Sequence, residues 1–505
     1  MSTRNPSSAF TRRGVCGGLA GLSILPLARA AGADAAGFGP PQIFSWEALI
    51  AHARAMAARP YQPEAAAPGA HGIDFDAAGK LTYGPAPILA GTVRLLPVSR
   101  DAPIPVRLNF VEDGQARRLL SGKGMFAHGG SAAPAGLRVL NPRGDGDWLS
   151  FLGASYFRTA GAQNQYGISA RGVAVDTALA HGEEFPRFTE FWIENQGDAR
   201  VLIHALIDGP SLSGAMRIDS TNTPGGVVQD VTAVFALRRD IGRLGIAPAS
   251  SMFWYDQNSP ARTGDWRPEI HDSDGLAVVA ANGEHLWRAL RNPRAPRTNA
   301  FALSDPHGFG LMQRDRRFSD YQDDGAFYDR RPNLWVEPIG NWGPGAVMLY
   351  EFPTVSETTD NIAAFWVSDM PMRAGGYHEW RYRLHWISHD PSAGAGAHLV
   401  DQWSGAGGIP GAIGRQDTRK LVFDFEGDNL AGLDRSSGVE AVTNLPPAAV
   451  AAQAAYPVVG AARRWRVTID IRPAALAQSE FRLFLRHKGA ALSETIIEPL
   501  ADLPA

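Results

Sequence analysis

The stretch Trp380-Arg381-Tyr382-Arg383-Leu384-His385-Trp386 decides the fold class. Large apolar side chains stand at 380, 382, 384 and 386, with charged or polar ones between them. Successive side chains of a strand point to opposite faces, so this alternation predicts a strand with one face on a core and one in water. A helix would scatter the same apolar groups around its circumference. Val201, Ile203, Ala205 and Ile207 alternate in the same way with Leu202, His204 and Leu206. With 55 Gly and 36 Pro as punctuation, many short strands joined by turns predict an all-β chain of sandwich architecture. One clear helix precedes them. Ser45 is placed to cap it, Trp46, Leu49, Ile50, Ala53, Met56 and Ala57 recur at helical spacing, and Pro60 stops it.

A chain of 505 residues is too long for one ordinary core, which predicts two folded units. The break falls where Gly, Ala, Pro and Ser crowd together, from Ser388 to Gly414. The expected division is a large β-sandwich over 38–390, a linker over 391–414 and a small immunoglobulin-like sandwich over 415–505. Strands in the last unit are read from Leu421, Phe423 and Phe425, from Trp465, Val467, Ile469 and Ile471, and from Phe481, Leu483 and Leu485. A formal net charge of -3 argues against nucleic acid as a partner. No stretch after residue 30 is apolar and uncharged for the length a bilayer requires, so membrane insertion is not expected.

The first 30 residues read as an export signal. Arg12 and Arg13 precede the weakly apolar, glycine-rich run VCGGLAGLSILPLA, and Ala28-Arg29-Ala30 fits a small-x-small cleavage site. Paired arginines after Thr11 point to the twin-arginine route, hence to the periplasm. The single cysteine, Cys16, lies inside that segment, so the exported chain is expected to rely on its core without disulfides.

The chemistry is concentrated in His271-Asp272-Ser273-Asp274-Gly275, just before an apolar strand from Leu276 to Ala280. Acidic groups held where a strand enters a core are costly unless hydrogen-bonded or used in a reaction. Two readings stand: a turn in which Asp272 or Ser273 bonds back to the local backbone, or part of a site. No cysteine pair, HExxH or tight histidine cluster suggests a metal centre. Ser155, in GASYF, lacks the second glycine of a nucleophile elbow, and the glycines near Gly122 and Gly129 open no phosphate loop. No cofactor is expected.

Four blocks carry a resemblance. They are FLGASYFR (151–158), YGISARGVAVDT (166–177), GEEFPRFTEFWIE (182–194) and RPEIHDSDGL (267–276), followed by GFGLMQRDR, YDRRPNLWVEP and TTDNIAAFWV. In this order they resemble the periplasmic glucan biosynthesis proteins of the G and D types, strongly over 38–390 and more loosely beyond. The twin-arginine leader makes the D type the nearer match. The resemblance implies a large galactose-mutarotase-like β-sandwich with a glucan cleft, and a smaller immunoglobulin-like domain. It implies a role in shaping the β-1,2-linked glucose backbone of osmoregulated periplasmic glucans, with membrane-bound synthesis machinery as a possible partner. Members of that family include inverting endo-hydrolases of β-1,2-glucan and, more widely, transglycosylases.

Inverting hydrolysis needs one carboxylic acid to protonate the leaving oxygen and a carboxylate opposite it to activate water, directly or through a water chain. Asp272 and Asp274 are two apart and in an extended segment share one side, which suits them poorly to serve each other. The family motif places its proposed base at Asp272 and its proposed acid at Asp360, in Thr358-Thr359-Asp360-Asn361-Ile362. The family pattern carries Asn where Thr359 stands, which bears on the hydrogen bonding of the acid. His271 and Asp274 then become local support. Tyr328 and Trp335 are candidates for lining the glucan cleft, since aromatic faces pack on the C–H faces of sugar rings; Trp335, beside Leu334 and Val336, reads equally as a core residue. Glu183, Glu184 and Glu190 alternate with Phe185, Phe188 and Phe191, which suits an exposed or salt-bridged strand as well as a site. Three activities fit the same cleft: hydrolysis, transglycosylation, and binding without cutting, in which nascent glucan is held and presented to the membrane machinery.

Overall fold

A computed structural model describes residues 37–73, 82–83, 88–128, 133–142, 146–257, 264–392, 394, 396–408, 415–476 and 479–500. The expected export signal lies outside these residues. Among them the chain is predominantly β, built around two large sheets of sixteen and ten strands. The all-β expectation holds. No helix among the described residues is long and apolar enough to cross a membrane.

Trp380-to-Trp386 lies within the strand Tyr377–Ile387, at the middle of the sixteen-stranded sheet. It pairs antiparallel with Gly226–Leu237 on one side and Asn333–Pro338 on the other. Trp380, Tyr382, Leu384 and Trp386 are buried and face the ten-stranded sheet, where Leu149, Phe151, Ile246 and Trp366 close the main core. Arg383 and His385 face the other way, bonding Asp230 at 2.8 Å and Glu337 at 2.8 Å. Only a period of two separates the residues in this manner.

The strand Arg200–Asp208 is buried on both faces beyond its first residue. Its inner residues join the main core, while the helix Trp46–Ala57 covers its outer face with Leu49 and Ala53 against Leu206. Ser45 caps that helix, accepting from the Ala48 amide at 3.1 Å. His204 sits between Phe44 and Trp46, and burial pushes its pKa down to about 4, so it is a neutral packing residue.

A second core forms toward the C-terminus. The strands His398–Gly407, Arg415–Glu426, Arg464–Ile471 and Val450–Pro457 make a four-stranded sheet. Its inner residues, among them Leu421, Phe423, Val467 and Ile469, meet Phe481, Leu483 and Ile496. Those belong to Glu480–His487 and Thr495–Pro499, which continue the sixteen-stranded sheet through a parallel pairing of Thr495 and Ile496 with Leu286 and Trp287. One sheet of the C-terminal sandwich is thus the end of the long sheet. Two features of the sequence are corrected by this arrangement. The segment expected as linker contains the strand His398–Gly407, paired to Arg415–Glu426, because Leu399 inserts into the second core. Trp335 packs in the second core with Trp287 and Met312 at 7% exposure, instead of standing on a cleft wall. Its neighbours Leu334 and Val336 face the first core, so alternation turns Trp335 to the opposite face, which the four-stranded sheet covers.

Candidate active site

The segment 271–275 crosses from a two-stranded ladder, Phe253–Tyr255 with Ile270–His271, into the long sheet at Gly275–Val279. Its backbone is pinned at each step: the Asp272 amide donates to the Met252 carbonyl and the Asp274 amide to that of Met312, each at 2.8 Å. The hydroxyls of Ser273 and Ser251 meet at 2.6 Å. Gly275 admits no side chain, since the ring of Trp287 occupies the space a Cβ would take.

Asp272 is wholly buried and ion-paired with Arg331, itself 2% exposed. The Arg331 guanidinium lies 3.8 Å from the centre of the Tyr328 ring. Gly167, in the YGISAR block, is a glycine for a visible reason: a Cβ there would come within 2.7 Å of the Arg331 side chain. Tyr328 opens the one-turn helix Tyr328–Arg330 and is 1% exposed. Its hydroxyl donates to Glu357 at 2.6 Å. The same Glu357 oxygen accepts from Arg267 at 2.9 Å, and Arg267 is further held by Asp323 and Asp265. Burial opposes the Arg267 charge, but these carboxylates raise its pKa well above the ordinary arginine value.

Asp360 stands half-buried on the loop that enters the strand Ile362–Ser368, and Thr359 beside it is exposed. Asn361 fixes this loop. Its side-chain oxygen accepts from the Phe253 amide at 2.8 Å, and its amide group donates to the Phe352 carbonyl at 2.9 Å. Ser251 pairs with Ile362 while Met252 accepts from Asp272. The short stretch Ser251-Met252-Phe253 therefore carries the Asp272 segment on one edge and the Asp360 loop on the other. Residues far apart in the chain are gathered on two flanks of one extended stretch.

Behind Asp272 lies an acid cluster that sequence spacing did not reveal. His271 is fully buried; its Nε2 lies 2.9 Å from Glu269 and its Nδ1 2.9 Å from the Gln313 oxygen. The Gln313 amide group donates to the His271 and Tyr328 carbonyls, which turns the Gln313 oxygen toward the ring. Nδ1 therefore donates to Gln313, and with Nε2 set against the Glu269 carboxyl the surroundings favour the imidazolium form. Burial alone would depress its pKa; Glu269, Asp274 and Asp315 push it up to about 9. Asp315 moves the other way from a carboxylate norm: burial, then Asp274 and Glu269, raise it to about 8. Burial likewise raises Glu269 and Asp274. Oxygen and nitrogen atoms of Glu269, His271 and Asp315 lie within 4.8 Å of one another, close enough to ligate a cation.

A pH dependence follows. His271 is charged in the folded chain up to about 9, against about 6.5 unfolded, so its stabilisation is complete below 6.5 and is lost as pH rises to 9. Asp315, protonated to about 8 when folded, adds a decline of the same sign, since the folded state again binds the extra proton. Urea unfolding should show stability falling from pH 6.5 to 9, each proton contributing up to about 1.4 kcal/mol per pH unit. The slope should be shallower in His271→Gln; an equal slope would remove His271 from this account.

The glutamates near 190 fall into ion-pair networks. Glu190 is buried and accepts from Asn109 at 2.8 Å and from Arg107 and Arg118, while Glu184 bonds Ser211 and Arg239. Of the predicted site residues, Asp272 and Asp360 are brought to one locality, Tyr328 lies beside Asp272 as the stacking partner of Arg331, and Trp335 belongs to the second core. Arg331, Glu357, Arg267 and Asp315 join the site unannounced. For Arg267, Asp315 and Arg331 the available signal was their place inside RPEIHDSDGL, GFGLMQRDR and YDRRPNLWVEP, and Glu357 directly precedes TTDN. One large aromatic near the site is open to water: Trp266, next to Arg267, is 73% exposed.

A family model described as periplasmic glucan biosynthesis protein, MdoG, matches residues 44–499. Among curated proteins, "Glucans biosynthesis protein D 2" of Ralstonia nicotianae is 41% identical over 508 residues, covering 94% of this chain and 94% of its own length. "Probable glucans biosynthesis protein D" of Shewanella oneidensis is 43% identical, covering 77% of this chain and 75% of its own. "Glucans biosynthesis protein D" of Stenotrophomonas maltophilia is 38% identical, covering 96% and 95%. Among solved structures, a galactose mutarotase related enzyme from Lactobacillus acidophilus matches with 8% identity and a TM-score of 0.22, over 50% of this chain and 95% of that one.

Proposed function

The chain belongs to the periplasmic glucan biosynthesis protein family MdoG, and from that premise we propose that it is an anomer-inverting endo-hydrolase of β-1,2-glucan, with Asp360 as general acid and Asp272 as general base. The family places it in the periplasm, and the paired Arg12 and Arg13 support export by the twin-arginine route. The observation that carries the reading is the placement of the two aspartates on opposite edges of Ser251-Met252-Phe253. An inverting pair must flank the scissile bond with room between for water, so carboxylates from two separate segments suit it better than Asp272 with Asp274.

Exposure divides the roles. Asp360, at the half-buried end of its loop, is the carboxyl that can reach a glycosidic oxygen. Asp272 is enclosed, so its proton must travel to it from the attacking water through intervening water, along the polar flank of Arg331 and the Tyr328 hydroxyl. The aromatic face expected of Trp335 is better supplied by Trp266, whose exposed ring is anchored through Arg267 to the Glu357 loop.

Purified protein incubated with linear β-1,2-glucan should yield shorter chains with a matching gain in reducing ends, of the inverted anomer when fresh products are examined. Longer or cyclic products without that gain would identify a transglycosylase. One observation favours a second reading, a protein that holds nascent glucan for the membrane machinery without cutting it: the Asp272 carboxylate is already paired with Arg331. Tight binding with no products after prolonged incubation would establish that reading and dismiss the hydrolase.

A further inference from the structure

Arg314 joins the candidate site to the C-terminal sheet. Its backbone amide donates to the Asp274 carboxylate at 2.8 Å, and the Asp315 amide donates to the same oxygen at 3.1 Å. The other Asp274 oxygen is buried with no hydrogen-bond partner among the described residues, so these two amides carry the anchoring of that side chain. The Arg314 guanidinium reaches away from them. It forms a two-pronged pair with Glu494 at 2.7 and 2.9 Å and bonds Asp390 at 2.8 Å. Its face lies 3.5 Å from the centre of the Trp287 ring, the ring packed directly on Gly275. Arg314 thus grips both ends of Asp274-Gly275, by the carboxylate on one side and through Trp287 on the other.

Glu494 belongs wholly to the C-terminal architecture. It precedes the strand Thr495–Pro499, and its carboxylate also accepts from the Leu399 amide at 2.8 Å, where the four-stranded sheet begins. The side chains of Arg314 and Glu494 are 12% and 5% exposed. A buried ion pair is a poor means of gluing two sheets, since apolar contact does so without the desolvation cost. What a two-pronged arginine–carboxylate pair supplies is orientation.

We propose that the C-terminal sheet is a working part of the site: Glu494 anchors Arg314, and Arg314 is a positioning residue whose main chain holds Asp274 and, through it, the adjoining Asp272. The proposal rests on the reading of Asp272 as catalytic, but its structural half can be tested without it. The full-length protein and its Glu494→Gln variant, which keeps the acceptor for Leu399, would be compared by amide hydrogen exchange and by cleavage of linear β-1,2-glucan. Arg482→Gln, which breaks the exposed contact of Arg482 with Glu284 between the same units, is the control.

In Glu494→Gln, amides 272–275 should exchange about ten times faster, and kcat should fall roughly 10- to 100-fold with KM nearly unchanged. A merely structural pair would leave that kcat-against-KM split absent. The control should alter neither measurement. Wild-type exchange at 272–275 in folded Glu494→Gln overturns the proposal. If Glu494→Gln does not fold, Asp390→Asn removes the other carboxylate from the same guanidinium and is judged by the same outcomes. Absence of cleavage by the wild type would refute the hydrolase while the exchange comparison still decides the coupling.

Discussion

Asp360→Asn should cut the rate of β-1,2-glucan cleavage by about 10²- to 10⁴-fold, the usual worth of a positioned general acid. The amide has the shape of the carboxyl but no proton to give the leaving oxygen. The loop should keep its place, because Asn361 clasps both Phe253 and Phe352. Glucan binding should therefore persist while kcat collapses, the pattern of an interaction made only in the transition state. A substrate with an activated leaving group, which departs without protonation, should recover much of the loss. Undiminished cleavage of the natural linkage by Asp360→Asn would end its assignment as the acid without touching the proposed function.

The same loop shows which parts of this protein are legible in its sequence. Trp380 to Trp386 and Ser45 to Ala57 could be read directly, because strand and helix each impose a period that the residues obey whatever packs on them. Trp335 could not. Its apolar neighbours Leu334 and Val336 suited a core position, but nothing local showed that a sheet from beyond residue 398 covers its face. The second core is assembled from both ends of the chain, and no local pattern announces such a partner. The acid cluster was hidden for the same reason: Glu269 and His271 are neighbours, whereas Gln313 and Asp315 arrive on another strand's exit. The aspartates were separable because spacing alone set Asp272 against Asp274, but the identity of the second wall came from the family blocks. Arg331, the residue that balances Asp272, lay in one of those blocks and remained anonymous until the fold placed it over Gly167.

That balance gives Asp272→Asn two separable consequences. Removal of the base should lower cleavage by about 10²- to 10⁴-fold. It should also destabilise the fold by about 3–5 kcal/mol, because it takes from the buried Arg331 the carboxylate it is paired with. Asp360 stands at a half-buried loop end and not in the interior, so its replacement should cost less in urea unfolding than that of Asp272 while agreeing in rate. The stability loss can be traced by combining Asp272→Asn with Arg331→Gln, which exchanges the ion pair for two amides able to bond each other. The double variant should regain much of the lost stability and none of the activity. If Asp272→Asn alone unfolds at the wild-type urea concentration, the ion pair contributes orientation without net stability. If it retains wild-type cleavage, Asp272 is not the base, and the pairing with Arg331 is the whole of its work.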